Sequence, residues 1–168
     1  NDSGVVAGDA SGGGVSVPVL WHDGAVSPIA LPEGATRGSA RDMNDAGVVV
    51  IDTSSATRDR SHRWRDGQYT DLGQLAGHSR TLTASINNAG VVVGSASGEP
   101  SNLTTATVWY DVQAHDLNAL VHANDPLRPF VRLSFALHIN DRGEIVARGV
   151  DERQGPGTVS HYLLTPRR

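Results

Sequence analysis

Short runs of β-branched residues, each behind an asparagine-centred polar turn, set the pattern of this chain. The runs are Val5-Val6-Ala7-Gly8, Val48-Val49-Val50-Ile51, Val91-Val92-Val93-Gly94 and Glu144-Ile145-Val146-Ala147. The turns are Asn1-Asp2-Ser3-Gly4, Asn44-Asp45-Ala46-Gly47, Asn87-Asn88-Ala89-Gly90 and Asn140-Asp141-Arg142-Gly143. β-Branched side chains suit a pleated surface and glycine tolerates positive φ, so each turn and run reads as the corner and second strand of a hairpin. The strand ahead of the corner is visible at residues 40–44, 83–87 and 136–140. A second hairpin centres on Asp23-Gly24 and on Asp66-Gly67, with Trp21 and Trp64 on its incoming strand. Trp109 holds the same place in the third unit, where the turn has become Asp111-Val112. No stretch sustains a helical period; the closest candidate, residues 116–122, is short.

The spacing of these turns divides the chain into units 1–43, 44–86, 87–139 and 140–168, the third longer than the first two. Four short antiparallel strands in about forty residues match the blade of a β-propeller better than a helical solenoid. The fold expected is all-β: a β-propeller of four-stranded antiparallel blades with a repeat of about 43 residues. Strand counts of three, four, four and three make a segment of a closed propeller, or half of one. An open array leaves strand edges exposed. The chain is therefore expected to be part of a longer protein, with the missing first strand upstream. The alternative is two copies, whose strands together would number enough for seven four-stranded blades.

The patterns Ile86-Asn87-Asn88-Ala89-Gly90-Val91-Val92-Val93-Gly94 and Trp64-Arg65-Asp66-Gly67-Gln68-Tyr69-Thr70-Asp71-Leu72-Gly73-Gln74-Leu75-Ala76-Gly77 resemble the bacterial extracellular HAF repeats. So does the ending His161-Tyr162-Leu163-Leu164-Thr165-Pro166, which comes nearest to the tripeptide that names the family. The resemblance spans essentially the whole chain and implies a secreted, propeller-like bacterial protein. It supplies no catalytic residues. It further implies that residues 163–168 form a true C-terminus, and that an N-terminal strand completes the last blade.

Composition fits an extracellular setting. There are no cysteines, so neither disulfides nor Cys-ligated zinc hold the fold. Every basic residue is arginine, a bias expected of a GC-rich genome. No signal peptide, membrane span or lipidation motif is present, so no membrane insertion is expected. The formal charge of −4, without long runs of one sign, argues against nucleic acid as the partner. Arg58, Arg60, Arg63 and Arg65 form the closest basic cluster, read as a solvated strand edge that discourages pairing.

Candidate chemistry is sparse. Gly8-Asp9-Ala10-Ser11-Gly12-Gly13 resembles the loop around a trypsin-like nucleophile, yet an alanine intervenes and the repeat register accounts for the segment. His22, His62, His78, His115, His122, His138 and His161 show no pair at metal-ligand spacing, and no Asp-x-Asp-x-Asp loop exists, so no metal or cofactor is expected. The carboxylates of Asp2, Asp45 and Asp141 are explained as local turn acceptors. Trp21, Trp64 and Trp109 recur at one position and read as core between blades.

Departures from the repeat are the better functional candidates, because what every unit shares serves the scaffold. Most of the added length lies between Trp109 and Asn140. There His122, Asn124, Asp125, Arg128 and Phe130 combine hydrogen-bonding groups with an aromatic ring, as a ligand site or as a loop packed on a neighbour. Three readings follow: a non-enzymatic, lectin-like module that recognises an extracellular glycan through blade-top loops, a protein-assembly or spacer element in a secreted complex, and, with least support, a hydrolase. An upstream domain or a second copy is the expected completion of the propeller.

Overall fold

The computed structural model describes residues 1–56, 58–101, 103–155 and 157–167. Its strands form four antiparallel sheets in chain order. Sheet one holds β1 (Val6–Gly12), β2 (Val15–His22) and β3 (Ala25–Pro28). Sheet two holds β4 (Arg37–Met43), β5 (Val49–Ser54), β6 (Asp59–Arg65) and β7 (Gln68–Asp71). Sheet three repeats it with β8 (Arg80–Ile86), β9 (Val92–Ser97), β10 (Thr105–Tyr110) and β11 (Gln113–Asp116). Sheet four has β12 (Val131–Ile139), β13 (Ile145–Asp151) and β14 (Val159–Leu164). The expected counts of three, four, four and three are observed. The short helical candidate is one turn, α1 (Leu117–Leu120), capped by Asp116. Arg168, in the expected C-terminal pattern, lies outside the described residues.

Each sheet packs face to face on the next. Side chains alternate across a strand, so β5 turns Val49 and Ile51 back toward Ala7 and Leu20 of sheet one, while Val50 faces forward to Trp109 and Val92 of sheet three. Burial on both faces is why these strands read as unbroken apolar runs. The third interface joins Val93, Ala106, Val108 and Leu117 to Leu133, Ala136, Ile139, Ile145 and Ala147.

Polar staples repeat along the stack. The first strands β4, β8 and β12 are bulged, between Ala40 and Asp42, Thr83 and Ser85, and Ala136 and His138. A bulge interrupts the ladder locally. The Ala40 N–H donates to the Asp9 carboxylate of sheet one at 2.7 Å, and the Thr83 N–H to Asp52 of sheet two at 3.2 Å. Asp9 of the trypsin-like segment thus has a structural task, and Ser11 is exposed on β1. At Gly94 the approach is so close that a Cβ would lie 2.1 Å from the Leu82 carbonyl oxygen.

The asparagine turns form a second, directional ladder. The side-chain oxygens of Asn1, Asn44 and Asn87 accept the N–H of Val5, Val48 and Val91 within their own turns. Their amide groups donate to the carbonyl of the next asparagine: Asn1 to Asn44, Asn44 to Asn87 at 3.1 Å, and Asn87 to Asn140 at 3.2 Å. The following residues add a parallel row, in which the N–H of Asp2, Asp45 and Asn88 donates to the side chains of Asp45, Asn88 and Asp141. The reading of the turn carboxylates as local acceptors is therefore corrected for Asp45 and Asp141, whose donors come from the preceding unit. Asn88 breaks the Asp pattern for a physical reason: its amide donates to Asp45 and Asp141 on either side, where a third carboxylate would repel both.

A second correction concerns the arginine cluster. β6 is paired on both sides, by β5 and β7, so it is not an edge. Its arginines make ion pairs instead, Arg60 with Asp71, Arg65 with Asp66 and Arg63 with Asp111 of sheet three.

Candidate functional site

The inserted segment begins at α1 and runs to β12. Asp116 accepts the Asn118 N–H at 2.8 Å and starts the helical turn. The Asn118 amide then binds both backbone groups of β12: its nitrogen donates to the Leu133 carbonyl at 3.0 Å and its oxygen accepts the Leu133 N–H at 2.7 Å. Sequence reasoning passed over Asn118, although Asp-x-Asn ahead of a short apolar stretch is a capping signal. Beyond it the chain folds through tight turns. The Asn124 N–H donates to His122 Nδ1, the Asp125 N–H to the His122 carbonyl, and the Leu127 N–H to the Asp125 carboxylate.

The five residues singled out in the sequence divide here. Asp125 and Arg128 line a cavity of about 580 Å³ between the inserted segment and β14, together with Asn118, Leu133, His161 and Tyr162. His122 lines an adjoining cavity of about 450 Å³ that shares Val121, Asp125, Leu163 and Leu164 with the first. Asn124 lines neither. Phe130 is half-exposed, and the Arg153 guanidinium stacks over its ring at 4.6 Å from the centroid. Arg153 is held in turn by the buried carboxylate of Asp151, and its hydrogen bonds pull the Asp151 pKa down to about 2. The Phe130 carbonyl accepts the Glu152 N–H at 2.9 Å, so this end of the loop is clamped to sheet four. One face of the ring is already occupied.

The tryptophans separate as sharply. Trp109 is fully buried, its indole N–H reaching the Gly73 carbonyl. Trp64 is half-buried against sheet one. Trp21 is 49 % exposed, which corrects its reading as core: no described sheet lies on that side of sheet one.

One row of polar groups crosses three sheets. Ser85 Oγ donates to Asp42 at 2.8 Å and lies 3.0 Å from His138 Nδ1. The order is Asp, Ser, His; a nucleophilic serine needs the histidine between itself and the carboxylate. Ser85 is also buried and accepts from the Ile139 N–H, which makes the row a staple between first strands. Among the described residues no group of three or more His, Cys, Asp or Glu side chains is placed to hold a metal ion. No helix among them is long and apolar enough to cross a membrane.

Burial depresses the pKa of His62, which lies edge-on to Tyr69 with Nε2 2.9 Å from the Thr53 hydroxyl. A histidine held neutral in the fold binds its proton more readily once unfolded. Its contribution is therefore present above the unfolded pKa of about 6.5 and is lost as pH falls below it. Denaturant midpoints measured between pH 8 and pH 5 are expected to fall for the native chain and to fall less for His62→Gln; equal slopes would reject this role.

No family model, curated protein or solved structure matches the chain.

Proposed function

We propose that the four sheets are blades of a β-propeller-type array, of the secreted HAF-repeat kind, and that the chain acts by binding protein rather than by catalysis. The observation that carries this reading is the free face of sheet one. Val6, Trp21 and Val26 share one register row there and are exposed, as is Val15. The same row in sheet two, Val49, Trp64 and Tyr69, is covered by sheet one. In sheet three Val92 and Trp109 are covered by Val50 and Leu72 of sheet two. Three equivalent faces, two of them covered by a like sheet, argue that the third is shaped for a like sheet as well. At its rim the Asp2 carboxylate matches Asp45 and Asp141, which accept the N–H of a preceding turn.

The far end of the array differs. Arg148 replaces the carboxylate of Asp9 and Asp52, and Glu144 replaces the valine after the turn. The Asn140 amide donates to Glu144 at 2.6 Å, and Arg142 also binds that carboxylate, holding the Glu144 pKa below its ordinary value.

The test is to place a second copy of residues 44–86 ahead of Asn1, which keeps the 43-residue register of the ladder and supplies a first strand for sheet one. Trp21 emission is expected to shift to the blue, and the melting temperature to rise by roughly 5 °C or more. Unchanged emission and melting would reject the face as a sheet-docking surface. The glycan reading draws on the polar cavity at Asp125 and Arg128. Saturable binding on an array that includes bacterial cell-wall polysaccharides, lost in Asp125→Ala/Arg128→Ala, would favour it instead.

A further inference from the structure

Among the described residues, three of the four sheets end in a strand that sheet four lacks. β3, β7 and β11 pair with β2, β6 and β10, whereas β14 pairs with β13 alone. Register shows that β14 holds the same place as β2 and β6. The pairs Ile145 with Leu164 and Arg148 with His161 repeat Val49 with Trp64 and Asp52 with Ser61, and Val6 with Trp21 and Asp9 with Pro18. In sheets one to three a buried aliphatic residue follows the last strand: Ile29 after Pro28, Leu72 after Asp71, Leu117 after Asp116. The N–H groups of Ile29 and Leu72 donate to the carbonyls of Pro18 at 2.8 Å and Ser61 at 3.0 Å. His161 is the equivalent of both, so its carbonyl faces the open side of β14.

That open side is a groove. The two adjoining cavities run along β14, with the inserted loop as the opposite wall. Leu163 is 65 % exposed, and Leu120 and Leu127 also leave apolar surface uncovered. The Tyr162 hydroxyl is buried without a hydrogen-bond partner. Arg128 lines the groove and, among the described residues, makes no ion pair.

We propose that this edge takes an extended peptide segment of a partner protein, paired antiparallel to β14, in which an acidic residue precedes leucine or isoleucine. Main-chain hydrogen bonds supply affinity in such strand addition, and alternate side chains supply specificity. The aliphatic residue repeats the anchor made by Leu72 and Leu117, its N–H meeting the His161 carbonyl. The acidic residue before it meets Arg128, as Asp71 of β7 meets Arg60. The inference rests on the reading of the chain as a protein-binding module, but at the opposite end from Trp21.

The probe is a synthetic peptide of residues 67–73, Gly-Gln-Tyr-Thr-Asp-Leu-Gly, titrated into the 168-residue protein by calorimetry. Saturable one-to-one binding is expected. N-Methylation of the leucine amide, or replacement of the peptide aspartate by lysine, is expected to weaken it by roughly tenfold. These changes lie in the peptide, so the protein's fold is untouched. Arg128→Ala is expected to abolish the preference for aspartate. Absence of saturable binding, indifference to N-methylation, or an aspartate preference that survives Arg128→Ala would each overturn the proposal. None of these outcomes alters the Trp21 emission test, so the two ideas fail separately.

Discussion

Replacing Trp109 by alanine is expected to lower folding stability by about 3–5 kcal/mol, the range for emptying a fully buried large aromatic site. The side chain has no solvent exposure and sits among Val50, Leu72, Ile86 and Val92, in the interface that joins sheets two and three. Total stability of an ordinary domain is only about 5–15 kcal/mol, so this single change brings the chain near its unfolding threshold. At Trp21, which has the same repeat position, the same change is expected to cost about 1 kcal/mol or less, because half of the side chain is already in water. Denaturant melts read by circular dichroism give both midpoints. Similar losses for the two variants would show that sheet one is covered in solution or that the interface around Trp109 is loose. In the chain extended by residues 44–86, Trp21→Ala is expected to become nearly as costly as Trp109→Ala.

Asn87→Ala is expected to cost about 2–4 kcal/mol, since it leaves the Val91 N–H unsatisfied, at about 1–3 kcal/mol, and also removes a hydrogen bond between sheets worth about 0.5–1.5 kcal/mol. The Val91 N–H loses its acceptor within the turn, and the Asn140 carbonyl loses its donor from the neighbouring sheet. Asn87 is itself buried, so water does not readily replace either partner. Asn87→Asp separates the two functions: it keeps an acceptor for Val91 but sets a carboxylate oxygen against the Asn140 carbonyl, and its loss at neutral pH should be no smaller. Asn140 provides the contrast. Its amide binds Glu144 of its own unit rather than another sheet, so Asn140→Ala is expected to cost about 1 kcal/mol. If Asn140→Ala proved as damaging as Asn87→Ala, the ladder between sheets would not be the reason that asparagine recurs.

Much of the fold was legible in the chain because its signals are local. Turn chemistry at the Asn-x-x-Gly and Asp-Gly corners, followed by β-branched runs, requires only neighbouring residues to express itself. The strand count and the unit boundaries followed from that. The candidate site was legible only as a departure from the repeat. The inserted loop stands out by length, but that Asp125 and Arg128 share a cavity with His161 and Tyr162, while Phe130 is stacked under Arg153, depends on residues far apart in sequence.

The sequence by itself determined four antiparallel sheets and an asparagine turn at the head of each unit, because hydrogen-bonded corners and alternating strands follow from short-range stereochemistry. Only the tertiary structure decided what each repeated residue does. Trp21 and Trp109 read alike, yet one is exposed and the other buried, because burial depends on whether another sheet lies against the same face. Asp45 and Asn88 look like turn residues, yet they take their donors from the unit before. Gly94 stands where Ile51 stands one unit earlier, and the register alone gives no reason for the difference. There a Cβ would lie 2.1 Å from the Leu82 carbonyl oxygen, too close for any side chain, a distance set by strands meeting in space.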